Sequence, residues 1–303
     1  MAEARARKAA RELFDEEFLN RLEYLHIVSR KLFAGQSRAD RRSKKLGSGI
    51  EFADHRDYAP GDDFRYLDWS VFGRTEKMLV RLYEEEEDLS IYLMIDVSDS
   101  MDLDLGDGPK WAYAMRVAAA LGYIGLANMD RVAVVPFASG VVGRLPPARG
   151  KGQIFKIIDF LQGTPVGGPT RLEEAAKSFV HQNRRRGLVV VVSDLYDERG
   201  WEAGLNYLRY HRFQPFVVHV WDENELRPEI LGDLRLIDCE TGRERDVTIT
   251  RGLLEAYRKA HTELSHEAEA WCKAHLLPYF RASIQTPFDD LILRVFRAGG
   301  FLQ

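Results

Sequence analysis

From Leu89 to Ile95 the chain is apolar at all but one position, and the run stops on the polar string Asp96-Val97-Ser98-Asp99-Ser100. A stretch of this length, apolar on alternate as well as adjacent positions, predicts a strand buried on both faces. The pattern returns at Leu188 to Val192, inside a strand predicted over Gly187 to Ser193, and it is again closed by polar residues, Ser193-Asp194. Between and beyond these runs the pattern alternates. Helices are predicted over Pro109 to Ala127, Gln153 to Leu161, Arg171 to Gln182 and Trp201 to His211. Strands are predicted over Arg131 to Phe137 and Pro215 to Trp221, with a short edge strand from Val141 to Leu145 leading into a loop at Pro146-Pro147. Leu234 to Cys239 and Arg245 to Thr250 flank Glu240-Thr241-Gly242 and read as a hairpin. A long helix from about Leu253 to His275, a strand near Tyr279 to Ile284 and a helix from Phe288 to Arg297 complete the series. Alternation of this kind implies an α/β fold with a doubly wound, mainly parallel central sheet flanked by helices.

Ahead of that series the pattern differs. Ala9 to Phe33 reads as a helix, with Phe14, Phe18, Leu22 and Leu25 in one stripe that suits docking onto the protein's own core. Arg38, Arg41, Arg42, Lys44 and Lys45 follow as a basic stretch expected to be a solvated linker. Gly47 to Trp69 is rich in Gly, Asp, Arg and aromatics and has no clean period. Met78 to Tyr83 reads as a strand and Glu84 to Asp88 as an acidic turn, because successive carboxylates on an extended chain point to opposite faces and cannot converge on one ion. The expected organisation is therefore residues 1–46 as an N-terminal helix and basic linker, 47–88 as a segment packed on the sheet, and 89–303 as the α/β domain with a hairpin insertion near 234–250.

Composition narrows the function classes. In 303 residues, 45% are hydrophobic and 30% charged, which suits a folded globular chain. The net charge of -4 gives no basic field for nucleic acid. Cys239 and Cys272 form no CxxC pair, which argues against a zinc site and a disulfide framework. The start, Met1 to Lys8, lacks the apolar centre of a signal peptide, and the most continuous apolar stretch is far shorter than the roughly 20 residues that span a bilayer. A cytoplasmic protein without membrane insertion is the expectation.

The predicted topology places the two polar strand ends together. Asp96, Ser98 and Ser100 would project oxygen side chains from the carboxyl edge of the sheet, where open α/β folds bind ligands. Asp194 would end an adjacent strand. Gly167-Gly168-Pro169-Thr170 would bring a hydroxyl on the loop between them. Carboxylates with hydroxyls suit a hard divalent cation.

Here the chain resembles the von Willebrand factor A family, whose metal-ion-dependent adhesion site has the order DxSxS, then Thr, then Asp. Asp96, Ser98, Ser100, Thr170 and Asp194 match all five positions, and the resemblance covers roughly residues 89 to 300. It implies Mg²⁺, with Mn²⁺ or Ca²⁺ as alternatives, held by Ser98, Ser100 and Thr170 with Asp96 and Asp194 nearby, and a partner's acidic side chain completing the coordination. One position departs: many family members have Gly after the last Asp, where this chain has Leu195.

A second resemblance lies upstream. Gly49, Glu51-Phe52, Arg56, Tyr58, Gly61-Asp62-Asp63, Arg65 and Asp68-Trp69 are similar to the signature of the bacterial domain-of-unknown-function family fifty-eight. That family implies a von Willebrand A-like domain and a protein partner, a MoxR-type AAA+ ATPase or its client. Glu51, Arg56, Tyr58, Asp62, Asp63, Arg65, Asp68 and Trp69 are accordingly candidate partner-binding residues, whose paired charges and aromatics would also knit the segment together. The expected function is a non-enzymatic interaction module. The alternative is a metal-dependent hydrolase using the same carboxylates, with Asp99 or Asp197 as base or nucleophile. Known enzyme patterns fail: Ser98 stands where a haloacid-dehalogenase phosphatase needs its second Asp, and Gly152 follows Gly150-Lys151 where a phosphate-binding loop needs Ser or Thr.

Overall fold

Strand β4 (Ser90–Asp96) lies in the middle of a six-stranded sheet and is buried along its whole length. The structure is a computed structural model that describes residues 13–33, 42–46, 51–86, 90–228 and 230–297. Two units are present, one formed by Met1–Arg30 with Leu89–Phe301, the other by Lys31–Asp88 with Leu302–Gln303.

The first unit contains α1 (Glu16–Phe33, of which residues up to Arg30 belong here) and the six-stranded sheet. The strand order is β11-β8-β7-β4-β5-β6, with β5 Arg131–Phe137, β6 Leu145–Ala148, β7 Leu188–Ser193, β8 Gln214–Trp221 and β11 Tyr279–Ser283. All pairings are parallel except β5 with β6. The expected doubly wound, mainly parallel α/β class is therefore the class observed. Helices α3 (Lys110–Ala127), α4 (Ile154–Gln162), α5 (Leu172–Gln182), α6 (Glu202–Tyr210), α7 (Glu223–Leu226), α8 (Arg251–Ala274) and α9 (Phe288–Arg297) complete the unit. Pro109, with φ -73°, precedes α3, a position where its missing N–H costs nothing. A two-stranded hairpin, β9 (Gly232–Ile237) and β10 (Glu244–Ile249), stands apart from the main sheet.

Apolar continuity explains the central strands. Leu93, Met94, Ile95, Val190, Val191 and Val192 are fully buried, as a parallel strand covered on both faces requires. Tyr92, Phe179 and Phe213 pack edge to face in the same core. Gly187, just before β7, is required by space: a Cβ there would lie 2.0 Å from the Ser90 carbonyl oxygen. The α1 stripe is buried as expected, with the Phe18 ring centre 4.9 Å from that of Phe288 in a tilted pair and Arg116 Nε donating to the Leu13 carbonyl.

One element of this unit is displaced from its expected place. The edge strand is Leu145–Ala148 rather than Val141 to Leu145, and Val141 makes a single bridge to Phe137. Pro146 and Pro147 are tolerated because an edge strand needs donors on one side only.

The second unit contains a three-stranded antiparallel sheet of order β1-β3-β2, with β1 Arg42–Leu46, β2 Glu51–Asp57 and β3 Leu79–Glu86. Helix α2 (Trp69–Thr75) begins at Asp68, whose carboxylate accepts from the N–H groups of Ser70 and Val71. Two expectations are corrected here. Residues 42–46 of the basic stretch are a strand and not a linker, and Glu84 to Glu86 extend β3 rather than turning. Backbone pairing sets both: Lys44 lies opposite Glu84 and Arg42 opposite Glu86 in one antiparallel ladder. Arg38, Arg41 and Gly47 to Ile50 lie outside the described residues.

Candidate functional site

Parallel pairing of β4 with β7 brings Ile95 opposite Val192, so Asp96 closes β4 beside Ser193, and Asp194 follows directly after β7. The loop after β4 folds back on its own carboxylate. Asp96 Oδ1 accepts the Ser98 N–H at 3.0 Å, and the Ser98 and Ser100 hydroxyls approach to 3.0 Å. All three side chains are buried. Ser193 Oγ donates to Asp96 Oδ2 at 2.6 Å and accepts the Leu195 N–H at 2.9 Å, which ties the second strand end to the first.

The Thr170 loop is stitched to the same place. Gly167 N–H donates to Val97 O at 2.7 Å, Asp99 N–H to Gly168 O at 2.9 Å, and Gly168 N–H to Asp99 Oδ2 at 2.9 Å. Gly167 and Gly168 hold φ of 137° and 93°, conformations that side chains rarely adopt. The five residues expected to form the site thus occupy two loops and one strand end that are mutually bonded. Leu195, at the position where Gly was expected, has φ 60°, in the left-handed region, while its side chain is buried in the core. Burial of the leucine offsets backbone strain of about 1 kcal/mol.

Electrostatics set the site apart from an ordinary strand end. Burial, and then the charge of Asp194, push the Asp96 carboxyl up to about 7. Asp194 has a cationic neighbour: Lys110 Nζ lies 2.8 Å from its Oδ2 and pairs also with Glu225 Oε1. Lys110 is completely buried, and its ammonium lies 4.7 Å from the centre of the Tyr196 ring. Burial pulls the Lys110 pKa down, but Asp194 and then Glu225 more than reverse this, leaving it raised. Among the described residues, no cationic side chain pairs with Asp96.

Three hydroxyls and two carboxylates, one of them without a counter-charge, fit Mg²⁺ or Mn²⁺. Oxygen donors of this kind do not suit a softer metal, and among the described residues no group of three or more His, Cys, Asp or Glu side chains is placed to hold an ion.

Lys110, Glu225, Ser193 and Glu240 enter the site without having been expected there. Glu240 accepts from Thr170 twice, from Oγ1 at 2.7 Å and from N–H at 3.1 Å. A sequence signal existed for Lys110, a cation opening a mostly apolar helix, and for Ser193, which sits at a buried strand end. Glu225 and Glu240 lie 115 and 70 positions from their partners, and only the fold brings them in.

The carboxylates considered as hydrolytic groups are committed to the main chain. Asp99 clamps Gly168, and Asp197 accepts the N–H of Leu172 at 2.8 Å and of Arg199 at 2.9 Å.

The upstream candidates form a separate cluster within the second unit. Arg56 pairs with Asp62 at 2.8 Å, Arg65 with Asp63 at 2.6 Å, and Asp68 with both His55 and Arg81 at 2.9 Å. Arg81, and then His55, lower the Asp68 pKa. Tyr58 stacks on Phe64 at 5.5 Å, and Trp69 is 59% exposed. Glu51 lies in β2. The ion pairs expected to knit this segment are thus present, while Trp69 and Phe64 face solvent.

A family model described as a protein of unknown function, DUF58, matches residues 54–268. The uncharacterized protein Rv1480 of Mycobacterium tuberculosis is 25% identical over 252 residues, covering 82% of this chain and 79% of that protein. Among solved structures, the conserved hypothetical protein BatB from Bacteroides thetaiotaomicron is 16% identical and covers 70% of this chain and 98% of its own, with a TM-score of 0.40. An aerotolerance-related membrane protein from Bacteroides fragilis is also 16% identical, covering 69% and 97%, with a TM-score of 0.41. Among the described residues, no helix is long and apolar enough to cross a membrane.

Proposed function

The chain belongs to the DUF58 family of proteins of unknown function, and from that premise we propose that it is a metal-dependent protein-interaction module that captures an acidic side chain of a partner. One observation carries the reading: two buried carboxylates lie at the ends of adjacent strands, in segments bonded to the loops of Ser98, Ser100 and Thr170, and of the two only Asp194 has a cationic partner among the described residues. Two carboxylates in so dry a place repel one another unless a cation joins them. Ser98, Ser100, Thr170, Asp96 and Asp194 would hold a Mg²⁺ or Mn²⁺ ion, which would supply a Lewis-acidic point able to bind an external carboxylate. Hydroxyl donors leave such an ion poorly neutralised, and an acidic partner group completes its charge balance.

Within the chain, each residue has a definite part. Ser193 fixes the orientation of Asp96, and the Ser98 N–H holds its other oxygen. Lys110 keeps Asp194 and Glu225 from repelling one another. Asp99 holds the Thr170 loop against the Ser98 loop.

The partner in this reading is a MoxR-type AAA+ ATPase or its client, with the charged and aromatic face of the second unit, Arg56, Arg65 and Trp69, as an additional docking surface. The test is calorimetric Mn²⁺ binding to the whole chain and to Asp96→Ala, followed by co-purification with a MoxR-type ATPase in Mg²⁺ and in EDTA. Mn²⁺ binding that Asp96→Ala abolishes, with partner recovery lost in EDTA, is the expected result. Equal recovery in EDTA removes the metal from the mechanism.

A further inference from the structure

The β9–β10 hairpin carries little to hold it in place by itself. Every residue of β9 is exposed, and a two-stranded ribbon is at best marginally stable alone. Its tip is nonetheless closely defined. Asp238 Oδ1 accepts the Glu240 N–H at 3.1 Å, the Thr241 N–H at 2.6 Å and the Thr241 hydroxyl at 2.7 Å. Gly242, at φ 67°, returns its N–H to the Asp238 carbonyl at 2.9 Å. The turn therefore presents Glu240 in advance, and fixing its carboxylate costs the rotamers of one side chain only.

That carboxylate goes to the candidate site. Its two oxygens accept from the hydroxyl and the N–H of the same residue, Thr170. A chain of charges fastens the base of the turn to the same loop: Arg243 to Glu198 at 3.4 Å, Glu198 to Arg171 at 3.5 Å, and Arg171 Nη1 to the Thr170 carbonyl at 2.8 Å.

Resting on the carboxylate-capture reading above, we infer that Glu240 is a ligand built into the chain: the hairpin latches its own carboxylate onto Thr170, and an acidic partner group has to displace it. A tethered carboxylate acts at a high effective concentration, so an isolated acidic side chain from outside competes poorly. A partner succeeds when it brings further contacts of its own, which makes the latch a filter against casual carboxylates. On the metal reading, a divalent cation beside Thr170 attracts the Glu240 carboxylate, so it tightens the latch and primes the site together.

The experiment uses the full chain and its Glu240→Ala variant, in which Asp238 still defines the turn. With Mn²⁺ saturating, glutarate is the probe, and calorimetry reads its affinity. A latch closed about nine-tenths of the time weakens an outside carboxylate roughly tenfold, so Glu240→Ala binds glutarate about tenfold more tightly. In parallel, amide exchange at Thr170 is followed in EDTA. It quickens about tenfold in Glu240→Ala, while the Ser98 amide, which donates to Asp96, keeps its rate. Equal glutarate affinity in the two proteins, or unchanged Thr170 exchange, overturns the latch. Failure of both proteins to bind Mn²⁺ defeats the metal reading alone, and the Thr170 amide then still decides the latch.

Discussion

Replacing Lys110 by Met tests the charge balance of the site most directly. The ammonium is fully buried, 2.8 Å from Asp194 and in contact with Glu225. Methionine fills much of the same volume and supplies no charge. The variant leaves Asp194 and Glu225 unpaired beside Asp96, and removing one member of a buried ion pair typically costs about 3–5 kcal/mol. For a folded unit of this size, each kcal/mol moves Tm by roughly 2–4 °C, so the expected fall is on the order of 6–20 °C in EDTA. Mg²⁺ should recover much of this loss. With Lys110 gone, Asp194 Oδ2 is freed for the cation and a neighbouring positive charge no longer opposes it. At a free concentration about one hundred times Kd, a bound ion contributes about 2.7 kcal/mol. Urea denaturation of both proteins, in EDTA and in saturating Mg²⁺, gives the four midpoints required. A loss below about 1 kcal/mol in EDTA refutes the role assigned to the ammonium. A loss of the same size in both buffers refutes its competition with the cation.

Ser193→Ala removes a buried donor to Asp96 Oδ2 and an acceptor for Leu195 N–H; a loss of about 1–3 kcal/mol in urea denaturation is expected, and a neutral result would show that neither bond matters. With Asp96 raised to about 7, the metal-free folded chain binds a proton that the unfolded chain has shed, so stability in EDTA falls as pH rises from about 4 through 7. The proton also competes with the ion, and Mn²⁺ affinity measured between pH 8 and pH 6 should weaken toward acid; pH-independent binding contradicts the assignment of Asp96. Leu195→Gly relieves about 1 kcal/mol of left-handed strain but gives up a buried leucine, for a net loss of roughly 1–4 kcal/mol; a stabilised variant would show that the strain outweighs the packing.

The parts legible in the sequence were those governed by local pattern. Buried parallel strands have to be apolar throughout, which made β4 and β7 plain, and the polar residues closing both marked the site. Strand β1 and the acidic end of β3 beyond Tyr83 were not legible, because they are set by cross-strand pairing that neither segment shows alone. Lys44 opposite Glu84 is information held jointly by two places. Glu240 and Glu225 escaped for the same reason: an acidic residue in a turn or a short helix is ordinary until the fold sets it against Thr170 or Lys110. Leu195 shows the converse. The departure from glycine was visible, but that a leucine could hold φ 60° there depends on the core that receives its side chain.

Helix α1 has a consequence for how the chain is made. Its apolar stripe is completed by α9, where Phe288 packs against Phe18 and Asp289 meets Arg21 across 268 positions of sequence. At a synthesis rate of roughly 5–20 residues per second, α1 waits tens of seconds on the ribosome before its partner exists. During that interval Phe14, Phe18, Leu22 and Leu25 form an exposed sticky face on a nascent chain. Premature termination before Phe288 would leave that face uncovered, so truncated products should be recognised by holdase chaperones or degraded, even though the whole central sheet has already been synthesised.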